Sequence, residues 1–194
     1  MVAYTKALYG PSGSGKSIYL KQVATEAFGT GVRVVVLDYG RSWLPFAAVF
    51  DGAAYLAEGD ALTPSFRDPD AVVSHLQRRH LPLVFELERA TAEPGALFGK
   101  LCDFLRHDEH PHLLIVDEVF NVGRYRAYAD AVIQACGNCE LLASGQSHKD
   151  LDWLKALRPD LAHAPFQSKA TFAETVMANA TTRLLLKPGK TPAG

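Results

Sequence analysis

No apolar run in this chain of 194 residues is long enough to cross a bilayer, and Met1-Val2-Ala3-Tyr4 lacks the pattern of a signal peptide. A cytosolic location is the expectation. Cysteine is scarce as well: Cys102, Cys136 and Cys139 are too few for the disulfide framework of a secreted domain, so reduced thiols are expected. Charge of one sign is not in excess, because 20 Lys and Arg face 21 Asp and Glu and leave a formal net charge of −1. The whole-molecule field therefore offers no pull towards nucleic acid, and any such contact must come from local basic clusters. Internal repeats and low-complexity segments are also missing; only the tail, residues 188–194, reads as disordered. What remains is ordinary for a globular protein, 48% hydrophobic and 21% charged, and its length suits one α/β domain over residues 1–187.

Against that plain background, Gly10-Pro11-Ser12-Gly13-Ser14-Gly15-Lys16-Ser17 is a full match to the phosphate-binding pattern G-x-x-x-x-G-K-[ST]. It stands between a strand-like run, Lys6 to Tyr9, and an amphipathic helix expected from Lys16 to about Phe28. A bound triphosphate needs several backbone N–H groups turned towards it, in conformations that residues with a Cβ avoid, and Gly10, Gly13 and Gly15 supply that freedom. Lys16 would reach the β- and γ-phosphates, Ser17 would place its hydroxyl on Mg²⁺, and the helix N-terminus would face the anion. ATP and Mg²⁺ are thus the expected ligands. Ile18, Val23, Ala24 and Ala27 are available for the buried stripe of that helix, which Gly29-Thr30-Gly31 ends.

Strand-like runs alternate with helical segments, as in a parallel sheet covered on both faces. Val32 to Leu37 is a β-branched strand ending at Asp38. Tyr39 to Thr63 has no clear period, and Pro45, Gly52 and Gly59 interrupt it. Asp68-Pro69 reads as an N-cap and first-turn proline opening a helix to about His80. A strand over Leu83 to Leu87, a helix from Pro94 to about Arg106, a strand over His112 to Val116 and a helix from about Tyr125 to Ala135 follow. Strands at Leu141-Leu142-Ala143 and at about Thr182 to Leu186 complete the α/β reading.

The strand His112 to Val116 delivers two adjacent carboxylates, Asp117 and Glu118, at its end, a Walker B pattern with a following glutamate. In a parallel sheet the carboxyl ends of the strands line the ligand crevice. Asp117 can then meet the Mg²⁺ held by Ser17, while Glu118 orients or deprotonates the attacking water. Ala143-Ser144-Gly145-Gln146-Ser147 brings a polar cluster to the same crevice, with Gln146 a candidate γ-phosphate sensor. Two other constellations read as structure. Cys136-Gly137-Asn138-Cys139 has redox or metal spacing but no second pair, and looks like a helix end leading into a strand. His107, His110 and His112 beside Asp108 and Glu109 look like a solvated polar turn closed by Pro111 rather than a metal site.

Taken together, these landmarks resemble the FtsK–HerA superfamily of P-loop ATPases, DNA-pumping motors. The resemblance runs through the loop Gly10 to Ser17, Val34 to Asp38 as the second strand ending in aspartate, Leu114 to Glu118 as Walker B and Ser144-Gly145-Gln146 as the sensor strand. Asn179 followed by Thr181 to Leu186 is similar to the group's late strand. Small size points to its viral genome-packaging branch, the poxvirus-type ATPases of membrane-containing phages and archaeal viruses. The resemblance implies a RecA-like, mostly parallel sheet of the additional-strand catalytic-glutamate type, with a strand between the phosphate-loop strand and the Walker B strand. It further implies a homo-oligomeric ring (pentamer or hexamer), double-stranded DNA and capsid vertex proteins as partners, and a place in host cytoplasm or at the packaging vertex of the virion. In such rings a neighbour's arginine reaches the γ-phosphate and can be worth about a thousandfold in rate. Arg124, Arg126 and Arg158 are the candidates, and Arg124, Tyr125 and Arg126 are candidate DNA contacts. Two other readings stay open: a cellular motor of the same group, and a small-molecule kinase for which Arg78-Arg79 is the only compact basic pair hinting at a lid.

Overall fold

The computed structural model describes residues 5–38, 42–49, 54–57, 69–87, 94–118, 122–137 and 139–166, with backbone alone described at 54–57, 69 and 122–125. Seven strands form one sheet in the order β3-β4-β2-β5-β6-β1-β7, every neighbouring pair parallel. They are β1 (Lys6–Tyr9), β2 (Arg33–Asp38), β3 (Ala54–Ala57), β4 (Leu83–Glu86), β5 (His112–Val116), β6 (Glu140–Gly145) and β7 (Ala162–Pro165). The helices are α1 (Lys16–Gly29), α2 (Leu44–Ala47), α3 (Pro69–Arg78), α4 (Ala96–His107), α5 (Val122–Cys136) and α6 (His148–Leu157). β6 lies between β1 and β5, as the resemblance implied for an additional strand.

Central strands are apolar on both sides, so the period-two alternation sorts residues between two cores rather than between core and water. Val34, Val36, Leu113, Ile115 and Leu142 pack with Leu20, Val23, Ala24 and Ala27 of α1 and with Trp43, Phe46 and Ala47. Val35, Leu37, Leu114, Val116, Leu141 and Ala143 pack on the other face against α3 to α6. Each fully buried Leu or Val contributes about 1.5–3 kcal/mol, so both faces are strongly held. In α1 the stripe includes Leu20 where Ile18 was expected, and Ile18 is half-buried.

β1 and β5 begin and end where the sequence placed them, and α1, β2, β4 and α4 differ by only a residue or two at each end. Four elements were not foreseen: α2 and β3 within the unread stretch after Tyr39, and α6 and β7 after Gln146. α5 starts at Val122, three residues before the expected Tyr125. The N-cap at Asp68, the late strand Thr182 to Leu186 with Asn179, and the tail 188–194 lie outside the described residues. No helix among the described residues is long and apolar enough to cross a membrane.

The histidine turn is only partly solvated. His107, Glu109 and His110 are exposed, whereas the Asp108 side chain is 5% exposed and pairs with Arg33, itself 1% exposed. Asp108 also bonds His110 Nδ1 (2.7 Å) and lies 3.3 Å from His112 Nε2. Arg33 needs this partner because β2 carries it into the sheet interior, where an unpaired guanidinium would be costly. No group of three His, Cys, Asp or Glu among the described residues converges as a metal site. Cys102, Cys136 and Cys139 are free and buried, with Cys136 ending α5 and Cys139 preceding β6.

Candidate functional site at the carboxyl edge of the sheet

Because all seven strands run the same way, their carboxyl ends share one edge, and the residues just beyond β1, β5 and β6 meet there. The loop after β1 returns to the sheet through the Gly10 N–H, which donates to Gly145 O at 3.3 Å. Gly13 and Gly15 have φ of 77° and 91°, left-handed values that glycine alone adopts without steric cost, and Gly15 is the N-cap of α1. Gly10 is different from the expectation: its φ is not positive, and a Cβ there would sit 3.4 Å from Ser14 Oγ and 3.5 Å from Phe166 O. Those are ordinary van der Waals contacts, so neither backbone conformation nor space demands glycine at that position.

Lys16 is 8% exposed and donates from Nζ to Gly10 O (2.7 Å), Pro11 O (2.9 Å) and Ser14 Oγ (3.3 Å). Burial holds its ammonium below the ordinary lysine value, while the charges of Asp117 and Glu118 pull the other way. Lys16 and the two strand-end carboxylates therefore share one electrostatic site. Ser17 is half-buried on the first turn of α1, and Pro11, Ser12 and Gly13 are exposed at the loop's tip. Phe166, beyond β7, covers the loop's other side: its N–H donates to Tyr9 O at 2.7 Å, and its ring lies 5.6 Å from that of Tyr19.

Asp117 is 3% exposed and held from three directions. Ser144 Oγ donates to Oδ1, the Glu118 N–H donates to Oδ1 at 3.0 Å, and the Trp43 indole N–H donates to Oδ2 at 2.9 Å. Glu118 itself has φ of 57°, rare for a residue with a side chain. Burial and the neighbouring Asp117 charge push its carboxyl above the ordinary glutamate value, with Lys16 and Lys21 opposing. A carboxylate that is slightly more basic than usual is better suited to accept a proton from water.

Gln146 is exposed immediately after β6, its N–H bound to Asp150 Oδ2 at 3.1 Å; the same oxygen accepts from Ser147 N–H at 2.7 Å. Asp150 thus fixes the turn that presents Gln146, next to Gly10 across the β1–β6 pairing. Arg124, Tyr125 and Arg126 lie on the first turns of α5, which follows Glu118 after three residues; Arg126 is exposed, and the side chains of Arg124 and Tyr125 lie outside the described residues. Arg158 is placed apart. It follows α6 at the opposite pole of the sheet, where Nη1 donates to Cys139 O (2.8 Å) and Nε and Nη2 bind Asp160 (2.9 and 2.8 Å). A trans-acting role would require it to give up these bonds.

Two residues of the site, Lys21 and Trp43, escaped the sequence reading, and Asp38 was named there only as the end of the second strand. Lys21, one turn beyond Ser17, senses Asp117, Asp38 and Glu118, and its Nζ stands 5.5 Å from the Trp43 ring centroid. Its i,i+4 spacing from Ser17 was the available signal. Asp38 is 1% exposed, and burial pushes its carboxyl up to about 6 against hydrogen bonds from the Trp43 N–H (2.8 Å) and Ser42 Oγ (2.8 Å). Trp43 had no signal at all, since it lies in a stretch without period.

The donor set fits a hard divalent cation, because Ser17 and Asp117 offer oxygen ligands and one Asp117 oxygen keeps a lone pair free of the bonds described. No family model matches the chain, and no curated protein matches it. Among solved structures, the chain is similar to the genome packaging NTPase B204 from Sulfolobus turreted icosahedral virus 2 in complex with AMPPCP, at 17% identity over 97% of this chain and 88% of that chain, with a TM-score of 0.47.

Proposed function

We propose that the chain is a Mg²⁺-dependent ATPase that translocates double-stranded viral DNA into a preformed capsid. The observation that carries the ATPase half is the convergence of Lys16, Asp117 and Glu118 in one electrostatic site at the sheet's carboxyl edge. Lys16 exchanges its three loop acceptors for phosphate oxygens, so the loop holds its shape with or without the anion. Ser17 and Asp117 would hold Mg²⁺, which when bound would supply charge neutralisation on the phosphates. Glu118 takes the proton of the attacking water, and Gln146, presented by Asp150, reports on the γ-phosphate.

The DNA-packaging half rests on the sequence resemblance to FtsK–HerA motors of the viral branch. It entails residues 1–187 acting as one ATPase domain in a homo-oligomeric ring at a capsid vertex. Arg124 and Arg126 follow Glu118 within eight residues on the first turns of α5, and Arg126 is exposed, which suits either a finger to a neighbour's nucleotide or a DNA contact. A kinase reading is less well supported: Arg78 ends α3 and Arg79 follows it just ahead of β4, at the pole away from Lys16.

The test is ATP hydrolysis by the purified chain with and without duplex DNA. Phosphate released to water and stimulated by DNA is the expected result. Hydrolysis indifferent to DNA and to capsid overturns the motor, and phosphate transferred to an acceptor overturns the ATPase.

A further inference from the structure

Resting on that nucleotide reading, we infer that Trp43 is a positioning residue that aims the metal-binding carboxylate of Asp117. A carboxylate offers about four lone-pair sites, two on each oxygen. At Asp117, Oδ1 receives two donors, Ser144 Oγ and the Glu118 N–H, and Oδ2 receives one, the Trp43 indole N–H at 2.9 Å. The site left for a cation is therefore the second lone pair of Oδ2. Trp43 decides which way it points.

The ring is itself held on several sides. It is 0% exposed, meets Phe46 edge-on at 5.0 Å between centroids and carries Lys21 Nζ at 5.5 Å. Its backbone N–H donates to Asp38 Oδ2, whose partner oxygen takes Ser42 Oγ. A chain of contacts thus runs from the end of β2, through the residue before α2, to the end of β5. An indole needed only for packing would be satisfied by any neutral carbonyl; here it gives its single donor to the charged group of the site. Outer partners of this kind tune metal affinity about 10- to 100-fold.

Trp43→Phe removes the N–H and keeps an aromatic ring for Phe46 and Lys21. In the full chain, the Mg²⁺ concentration for half-maximal ATP hydrolysis is expected to rise about 10- to 100-fold. Binding of ATP in EDTA, followed with a fluorescent analogue, is expected to stay unchanged, whereas a purely structural role would weaken both. A second measurement leaves Trp43 in place: Trp153→Phe makes it the only tryptophan. With the Asp117 charge at the N–H end of the ring, Trp43 emission should change when Mg²⁺ is added to the ATP complex and return on chelation. An unchanged Mg²⁺ requirement in Trp43→Phe, or, should that variant not fold, an emission blind to Mg²⁺, overturns the inference while the ATPase reading stands. A wild-type chain that binds no Mg²⁺–ATP overturns the ATPase reading and this one with it.

Discussion

Ser144 Oγ accepts the Glu118 N–H at 3.1 Å while donating to the Asp117 carboxylate, so one hydroxyl at the end of β6 holds both acidic residues at the end of β5. Glu118 needs such an anchor. Its φ of 57° is a left-handed conformation that costs of order 1–3 kcal/mol for a residue with a side chain, and it persists only when surrounding bonds hold it.

Ser144→Ala leaves the Glu118 N–H with Asp117 alone and frees one lone pair of Asp117 Oδ1. Losing a buried polar partner is worth about 1–3 kcal/mol, which corresponds to roughly a 5- to 150-fold fall in hydrolysis rate if it acts in the transition state. Steady-state phosphate release checks this, with the melting temperature as control.

Glu118→Gln removes the carboxylate proposed to accept the proton, with little change in shape. Hydrolysis should drop by about 100- to 10,000-fold while ATP binding, measured by calorimetry, is retained. Lys16→Ala should weaken nucleotide binding or turnover, since it deletes the ammonium from the loop. A fully active Glu118→Gln protein removes the glutamate's catalytic assignment.

Gly145→Ala tests how closely α6 abuts the sensor turn. The added Cβ would stand 3.2 Å from Leu151 Cγ and 3.3 Å from Asp150 Cβ, tighter than ordinary contact, so both side chains must give way. We expect a stability loss of about 1–3 kcal/mol in denaturant titrations, from overpacking, and lower hydrolysis because Asp150 orients Gln146.

Two groups at the opposite pole cost stability in acid. Hydrogen bonds from His110 and Arg33 hold the Asp108 carboxyl below its ordinary value of 3.8 despite burial. Burial likewise holds His112 below its ordinary 6.5, with Asp108 opposing. In both cases the unfolded chain binds more protons than the folded one in the window beneath the ordinary value. Stability is therefore lost as pH falls, first below about 6.5 through His112 and then below about 3.8 through Asp108. Asp38 works the other way, because its carboxyl is raised to about 6 and gains stability as pH falls towards 3.8, so the readout is the difference between two proteins: wild-type denaturant midpoints should fall more steeply than those of His112→Gln between pH 7.5 and 5.5.

Arg33→Met should be among the most damaging single changes in the chain. It strands the buried Asp108 carboxylate, a loss of about 3–5 kcal/mol for one partner of a buried pair. Thermal unfolding at pH 7.5 reads it directly; a shift of only a degree or two would show that His110 and His112 suffice for Asp108.

Elements that depend on their own residues were legible. β2 and β5 are β-branched or leucine-rich runs with no exposed face, and α1 announces itself through the loop before it and Gly29-Thr30-Gly31 after it. β7 was not: Ala162-His163-Ala164-Pro165 has little strand propensity and ends in proline. It is a strand because β1 has a free edge, and an edge strand tolerates proline. α6 carries only Leu151 and Leu154 as buried residues, too few for a clear helical stripe, and was missed for that reason.

By itself the sequence determined the parts whose physics lies in consecutive residues: the positive φ of Gly13 and Gly15 between β1 and α1, the lysine and serine at a helix start, and a strand that ends in two carboxylates. Only the tertiary structure decided what those groups touch. Trp43 lies 74 residues from Asp117, Ser144 lies 27 away and Arg33 lies 75 from Asp108. Those pairs exist because the sheet sets β2, β5, β6 and β1 side by side, an order fixed by how two hydrophobic faces are covered rather than by any local pattern.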